Sequence, residues 1–418
     1  MLTTFTTLFI VALTIHTCIE LWLARRHLRH IRAHQAAVPD IFRESISLQA
    51  HQKAADYTIA KLRLGLIEMA FSIAVLLAWT LAGGLNLLDT LWRASTDDPY
   101  LTGIAFILSF FLISSLLGLP FSLFRTFVIE QRFGFNRTTP VLFAMDRLKQ
   151  ILVLLLMGVP LLWAILWLMN AAGSAWWLYA WLLWTSFTLF MLWAYPTLIA
   201  PLFNTFHPLA DESLKARIEK LLSRCGFVSK GLFVMDGSRR SSHGNAYFTG
   251  LGSAKRIVFF DTLIERLKPD ETEAVLAHEL GHFKLSHIRK RLFLSSAISL
   301  GGFALLAFLS AEIWFYQGLG VASPSPHAML VLFLLAAPVF TFFLGPVSNQ
   351  YSRRHEFEAD RFASKFSNAE SLAQALVKLY EDNASTLTPD PLYSAWHDSH
   401  PPATIRLAHL ISATPKKA

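Results

Sequence analysis

Apolar residues in this chain gather in long runs. Seven of these runs reach the roughly 20 residues that a helix needs to cross a bilayer. They are Leu2–Leu23, Leu64–Leu88, Leu101–Leu123, Ile151–Asn170, Ala175–Leu198, Leu292–Phe315 and His327–Asn349. The third, fourth, fifth and seventh contain no Asp, Glu, Lys or Arg. In lipid every backbone polar group must be satisfied within its own segment, so such runs predict an α-helical integral membrane protein with seven transmembrane helices. The first run has no basic stretch before it and ends in Arg25-Arg26, so it reads as a span and not as a cleaved leader.

The polar stretches between the runs divide the chain. Residues 1–198 hold five spans and their loops, 199–290 are a polar segment, 291–349 hold the last two spans, and 350–418 are a second polar segment. Residues 24–63 are rich in His and Arg, with helical patterning, and are expected to lie along the cytoplasmic face. The 199–290 segment reads as mixed α/β. Ile257–Phe260 has the pattern of a buried strand, and Asn245–Thr249, bounded by Gly244 and Gly250, that of a second. Pro269, with Asp270 and Glu273 three residues apart, marks a helix start. That helix is expected to run through Val275–Ser286 and on into the sixth span. Neither polar segment is large enough to fold comfortably alone, so the two are expected to pack together. The closing Lys416-Lys417 reads as an ordinary solvated tail.

Composition agrees with a membrane protein. Charged residues are 16% of the chain, too few for an ordinary soluble surface. Among 37 Lys and Arg, only Arg93 falls on the side opposite the first, third and fifth loops and the C-terminal segment. Basic loops stay cytoplasmic, so the N-terminus is expected outside and both large polar segments in the cytoplasm. The net charge of +8 follows from this asymmetry and gives no reason to invoke nucleic acid. The two cysteines, Cys18 and Cys225, have no ligand-like spacing. Glu20 and Glu68 fall inside spans, where acids normally face a cavity or partner, and neither is given a role.

His278-Glu279-Leu280-Gly281-His282 is an HExxH pattern. On a helix, positions four apart face the same way, so both imidazoles can hold one Zn²⁺ from one side. Glu279 then stands where it can take a proton from a water polarised by the metal. Gly281 inside the helix costs about 1 kcal/mol against Ala; close packing of a strand or of substrate would account for it. A catalytic zinc needs a third protein ligand. Glu356, in Arg353-Arg354-His355-Glu356-Phe357-Glu358-Ala359-Asp360, is the leading candidate, with Asp360 four residues on to hold a ligating histidine. His355 and His287 compete with Glu356 for the third place.

These residues belong to four blocks that resemble the type I CAAX prenyl endopeptidases, the Ste-type integral-membrane zinc metalloproteases. The blocks are Phe127–Asn136, Ile199–Asn204, Arg240–Phe248, and the HELGH together with Glu356–Asp360 and Ser399-His400-Pro401-Pro402. The resemblance implies Glu356 as third ligand to one zinc, and a strand Asn245, Ala246, Tyr247, Phe248 that binds extended substrate, with Asn245 holding its backbone. It implies His400 and Arg406 facing the scissile carbonyl, and seven helices enclosing a chamber with the zinc site at its cytoplasmic end. The brief Tyr316–Pro326 connection resembles the compact bacterial form, which implies the bacterial cytoplasmic membrane.

The expected activity is a membrane-embedded zinc endopeptidase of the CAAX prenyl protease type, removing C-terminal residues from prenylated or hydrophobic peptides. Its partners are a peptide or protein substrate and membrane lipid; the oligomeric state is open. The nearest alternative is an HtpX-like quality-control protease of misfolded membrane proteins. That family shares the HELGH but has fewer spans and lacks the Arg240–Phe248 and Ser399–Pro402 blocks. A transporter with an incidental HExxH would bind no zinc.

Overall fold

The computed structural model describes residues 3–229, 231–249 and 256–413; Gly250, the expected boundary of the second strand, and the Lys416-Lys417 tail lie outside them. Seven helices are long and apolar enough to span: Thr4–His34, Leu48–Trp79, Pro99–Glu130, Pro140–Ala171, Gly173–Phe203, His287–Ser310 and Pro326–Phe366. Several have 31 or 32 residues. At 1.5 Å per residue that is roughly 47 Å, against an apolar core of roughly 30 Å, so these helices are longer than the apolar core requires. Residues 24–63 do not form a separate element. They continue the first helix to His34, turn through Asp40–Phe42, and start the second helix at Leu48. The second apolar run is also divided: its helix ends at Trp79, and Gly83, with φ +81°, opens a separate helix Gly84–Ser95.

Large apolar side chains on the spans stay exposed, Leu156 and Phe293 among them, as a lipid-facing surface requires. At one end the spans converge on a packed cluster that includes Phe9, Phe106, Phe315, Tyr316 and Met329. Within their most apolar stretches the second, fourth and sixth spans bury few residues, which leaves wide faces uncovered by protein. Glu68 pairs with Arg125 at 2.5 Å, and Glu20 lies 3.6 Å from His397.

The polar parts share one core. Leu214, Ile218 and Phe259 from 199–290 pack with Ala363, Leu372 and Leu410 from the C-terminal segment, and with Phe42 from the first loop. Four strands form a mixed sheet of order β1-β2-β4-β3: β1 Phe206–Pro208, β2 Leu232–Met235, β3 Ala246–Thr249 and β4 Arg256–Phe260. β2 and β4 are parallel, while β1 and β3 run antiparallel to their neighbours. β3 therefore sits at an edge, hydrogen-bonded on one side only among the described residues.

The helix carrying the HELGH spans Pro269–Lys284. Its cap differs from the Asp270–Glu273 pair expected. Lys268 is the N-cap, and its N–H donates to Glu271 at 2.7 Å. Asp270 instead accepts from Ser371, and Glu273 pairs with Arg217. Nor does this helix continue into the sixth span. Ser286 adopts the left-handed conformation, φ +62°, and a new helix begins at His287.

Candidate active site

The seventh span does not stop at the membrane. After a 3₁₀ turn at Phe342–Leu344 it continues as helix Gly345–Phe366, which packs along the HELGH helix. Gly281 permits this approach. A Cβ there would stand 3.0 Å from the Ala359 Cα and 3.1 Å from the Phe362 Cβ. The close partner is thus the other site helix, not a strand or substrate. The contact brings Glu356 and Asp360, one turn apart, against His278 and His282.

His278 Nε2 lies 3.2 Å from His282 Nε2 and 3.5 Å from Glu356 Oε2, and Glu356 Oε1 lies 3.3 Å from His282 Nε2. His278 Nδ1 is 2.8 Å from Asp360 Oδ1. Arg406 grips the same Asp360 with two hydrogen bonds of 2.7 and 2.8 Å, and its Nη2 also reaches His278. His278, Glu356, Asp360 and Arg406 are all buried. Burial and the Arg406 charge push the His278 imidazole down, but the neighbouring Asp360 and Glu356 carboxylates prevail and raise it above the usual histidine value. Burial alone would lower Arg406; Asp360 holds it above the ordinary arginine value.

A cleft of 380 Å³ opens over these groups, lined in part by Glu279, Asn245, Ala246, Tyr380, His400 and Arg406. The half-buried Glu279 carboxylate has no hydrogen bond or ion pair among the described residues. His400 is exposed to the cleft, its Nε2 3.5 Å from Glu356 Oε2. Asn245 and Ala246 reach the cleft from the start of the edge strand. Tyr247 and Phe248 do not. Tyr247 packs edge-on to Phe260, burial pushing its hydroxyl up to about 12, and Phe248 packs on Phe227.

Of the rival ligands, His287 and His355 are both buried and stack on each other 4.0 Å apart, to one side of the group formed by His278, His282 and Glu356. Sequence reading overlooked Tyr380. It comes from helix Ala369–Asp382, whose Leu372, Leu376 and Leu379 form a cleft wall at helical spacing. That apolar stripe was visible in the sequence, but its facing a cleft was not. Tyr380, Ser385 and His400 also border an adjoining 580 Å³ cavity, which reaches Lys61 and Gly65 of the second span.

Comparison with known proteins covers the whole architecture. Residues 27–205 match the family model for the CAAX prenyl protease N-terminal, five membrane helices, and residues 208–414 match that of peptidase family M48. A CAAX prenyl protease 1 homolog of Arabidopsis thaliana is 40% identical over 74% of this chain and 74% of its own length. The Oryza sativa homolog is 36% identical over 93% of this chain and 94% of its own. The crystal structure of S. mikatae Ste24p superposes with a TM-score of 0.90 at 28% identity, covering 98% of this chain and 99% of that one. Matched along both its membrane and its polar halves, the chain belongs to peptidase family M48, as a multi-pass membrane metallo-endopeptidase of the CAAX prenyl protease 1 group.

Proposed function

We propose that this chain is a zinc endopeptidase that cuts near the C-terminus of prenylated or otherwise hydrophobic peptides, with His278, His282 and Glu356 as ligands to one zinc ion. The observation that carries the reading is the spacing of the three side chains. Ligand bonds of about 2.0–2.1 Å at tetrahedral angles put neighbouring ligand atoms roughly 3.3 Å apart, and the separations here run from 3.2 to 3.5 Å. Glu356 Oε2 is buried without a hydrogen-bond partner, an arrangement that costs about 1–3 kcal/mol or more for a charged group unless a cation satisfies it.

Zinc, when bound, supplies Lewis acidity and makes hydroxide available near neutral pH. Asp360 holds the Nδ1–H of His278, so that Nε2 presents its lone pair. Arg406 fixes Asp360; with two of its nitrogens engaged there, it acts chiefly by positioning. Glu279, free in the cleft, takes the proton of the attacking water and returns it to the leaving amine. His400 donates to the carbonyl oxygen as its charge grows. An extended peptide adds to the open edge of β3, with Asn245 on its backbone. The adjoining cavity toward the second span supports an apolar tail lying on the membrane side of the cut. The Lys and Arg asymmetry supports a cytoplasmic site within a chamber of seven helices.

The test is cleavage of a farnesylated CAAX peptide by the purified chain in detergent, beside Glu279→Ala and a chelated sample. Cleavage lost in both controls supports the reading. A zinc-loaded enzyme that spares this peptide but degrades unfolded membrane proteins would favour the quality-control alternative, and a chain without zinc would end the proposal.

A further inference from the structure

The break at Ser286 has an effect on the metal-ligand group. On one continuous helix, residues five apart point about 140° away from each other, because each residue turns the helix by 100°. His282 and His287 would then diverge. With Ser286 left-handed, the chain bends back, and His282 Nδ1 comes to lie 3.0 Å from His287 Nδ1. His287 Nε2 lies 2.8 Å from Glu358 Oε2. Glu358 is two residues from both Glu356 and Asp360, and so points to the far flank of their helix, where His287 stands.

We propose that His287, itself fixed by Glu358, is a positioning residue that orients His282 for metal binding through an imidazole-to-imidazole hydrogen bond. The inference rests on the zinc reading above. Proton bookkeeping allows one assignment. His282 offers Nε2 to the metal, so its proton sits on Nδ1 and donates to His287 Nδ1. His287 must then carry its own proton on Nε2, which donates to Glu358. The two histidine ligands are thus held differently. Asp360 holds His278 directly, whereas a carboxylate holds His282 through an intervening ring. The His355 ring covers His287, 4.0 Å away and 12° from parallel, and keeps water from competing for these bonds.

The same residues suggest a second metal site of His287, His355 and Glu358, whose ligand atoms lie close together. Ring stacking argues against it. Imidazole binds metals in the plane of its ring, and two nearly parallel stacked rings cannot aim in-plane lone pairs at one ion. Both His287 nitrogens are also occupied already.

The test measures zinc stoichiometry and affinity by chelator competition for the full chain in detergent. It compares wild type with His287→Ala, His287→Asn, Glu358→Ala and Glu358→Gln, and follows thermal unfolding of each metal-free form. Wild type should hold one zinc. His287→Ala and Glu358→Ala should bind it about 10–100-fold more weakly, with metal-free unfolding little changed. His287→Asn, whose carbonyl replaces the Nδ1 acceptor, should recover most of the affinity, and Glu358→Gln should lose less than Glu358→Ala. If His287→Ala fails to fold, the partly exposed Glu358 carries the test. Unchanged affinity in the alanine variants would overturn the inference, as would Asn binding no better than Ala. Two zinc ions in wild type, falling to one in His287→Ala, would also overturn it. A wild type without zinc would instead sink the underlying zinc reading.

Discussion

The backbone of Gly281 lies against that of Ala359, so close that a single added methyl carbon would come within 3.0 Å of the Ala359 Cα. This contact sets the distance between the helix bearing the two histidines and the helix bearing Glu356. Alanine normally gains about 1 kcal/mol over glycine within a helix. Here overpacking, typically costing about 1–3 kcal/mol, should exceed that gain. Gly281→Ala is expected to lower the unfolding temperature slightly and Gly281→Val markedly, with zinc affinity falling in the same order.

Glu279→Gln should separate binding from turnover. The carboxylate holds nothing in place, so the variant should keep its zinc and its stability. Its kcat should fall about 10²–10⁴-fold, as loss of a general acid–base predicts. Metal analysis beside steady-state kinetics checks both halves.

Glu356→Ala removes the buried acid between the two imidazoles. Zinc content after dialysis should drop to a small fraction of wild type, and activity should drop with it. Asp360→Asn should act more mildly, weakening zinc about 10–100-fold, because it touches the metal only through His278.

His400→Ala should lower kcat about 10²–10³-fold, the usual loss of one donor to a developing oxyanion. KM and zinc content should change little, since the ring is exposed to the cleft and lies outside the ligand group.

Asn245→Ala should raise KM for peptide by about tenfold while leaving metal and stability unchanged. Tyr247→Phe should do little to peptide binding, because its hydroxyl is turned away from the cleft toward Met235. Parallel kinetics on the two variants distinguish backbone capture at the strand edge from side-chain packing behind it.

Much of this was readable from composition and spacing. Long apolar runs leave no choice but spanning helices, and residues four apart on a helix meet on one face. The sequence does not show what depends on one backbone angle. Ser286 looks like an ordinary helix residue, and its left-handed turn ends a helix that the pattern extends into the sixth span. Gly281 stood out as a cost, but its compensation was an approach between helices far apart in the chain. Asp270 and Glu273 had the spacing of a cap, yet tertiary partners Ser371 and Arg217 claimed both. Arg406, more than 120 residues from the HELGH, gives no local sign that it grips Asp360.

The run from Pro326 to Phe366, helical on both sides of its 3₁₀ turn at Phe342–Leu344, has a mechanical consequence. Glu356 rides at the end of a lever whose other arm is embedded in lipid, whereas the two histidines hang on a helix uncoupled from its own span by the bend at Ser286. A change in bilayer thickness that tilts the seventh span therefore acts on the acid first, and reaches the imidazoles only through the Gly281–Ala359 contact. The surrounding lipid thereby becomes a variable of metal retention, readable as zinc loss rates in nanodiscs of graded acyl length.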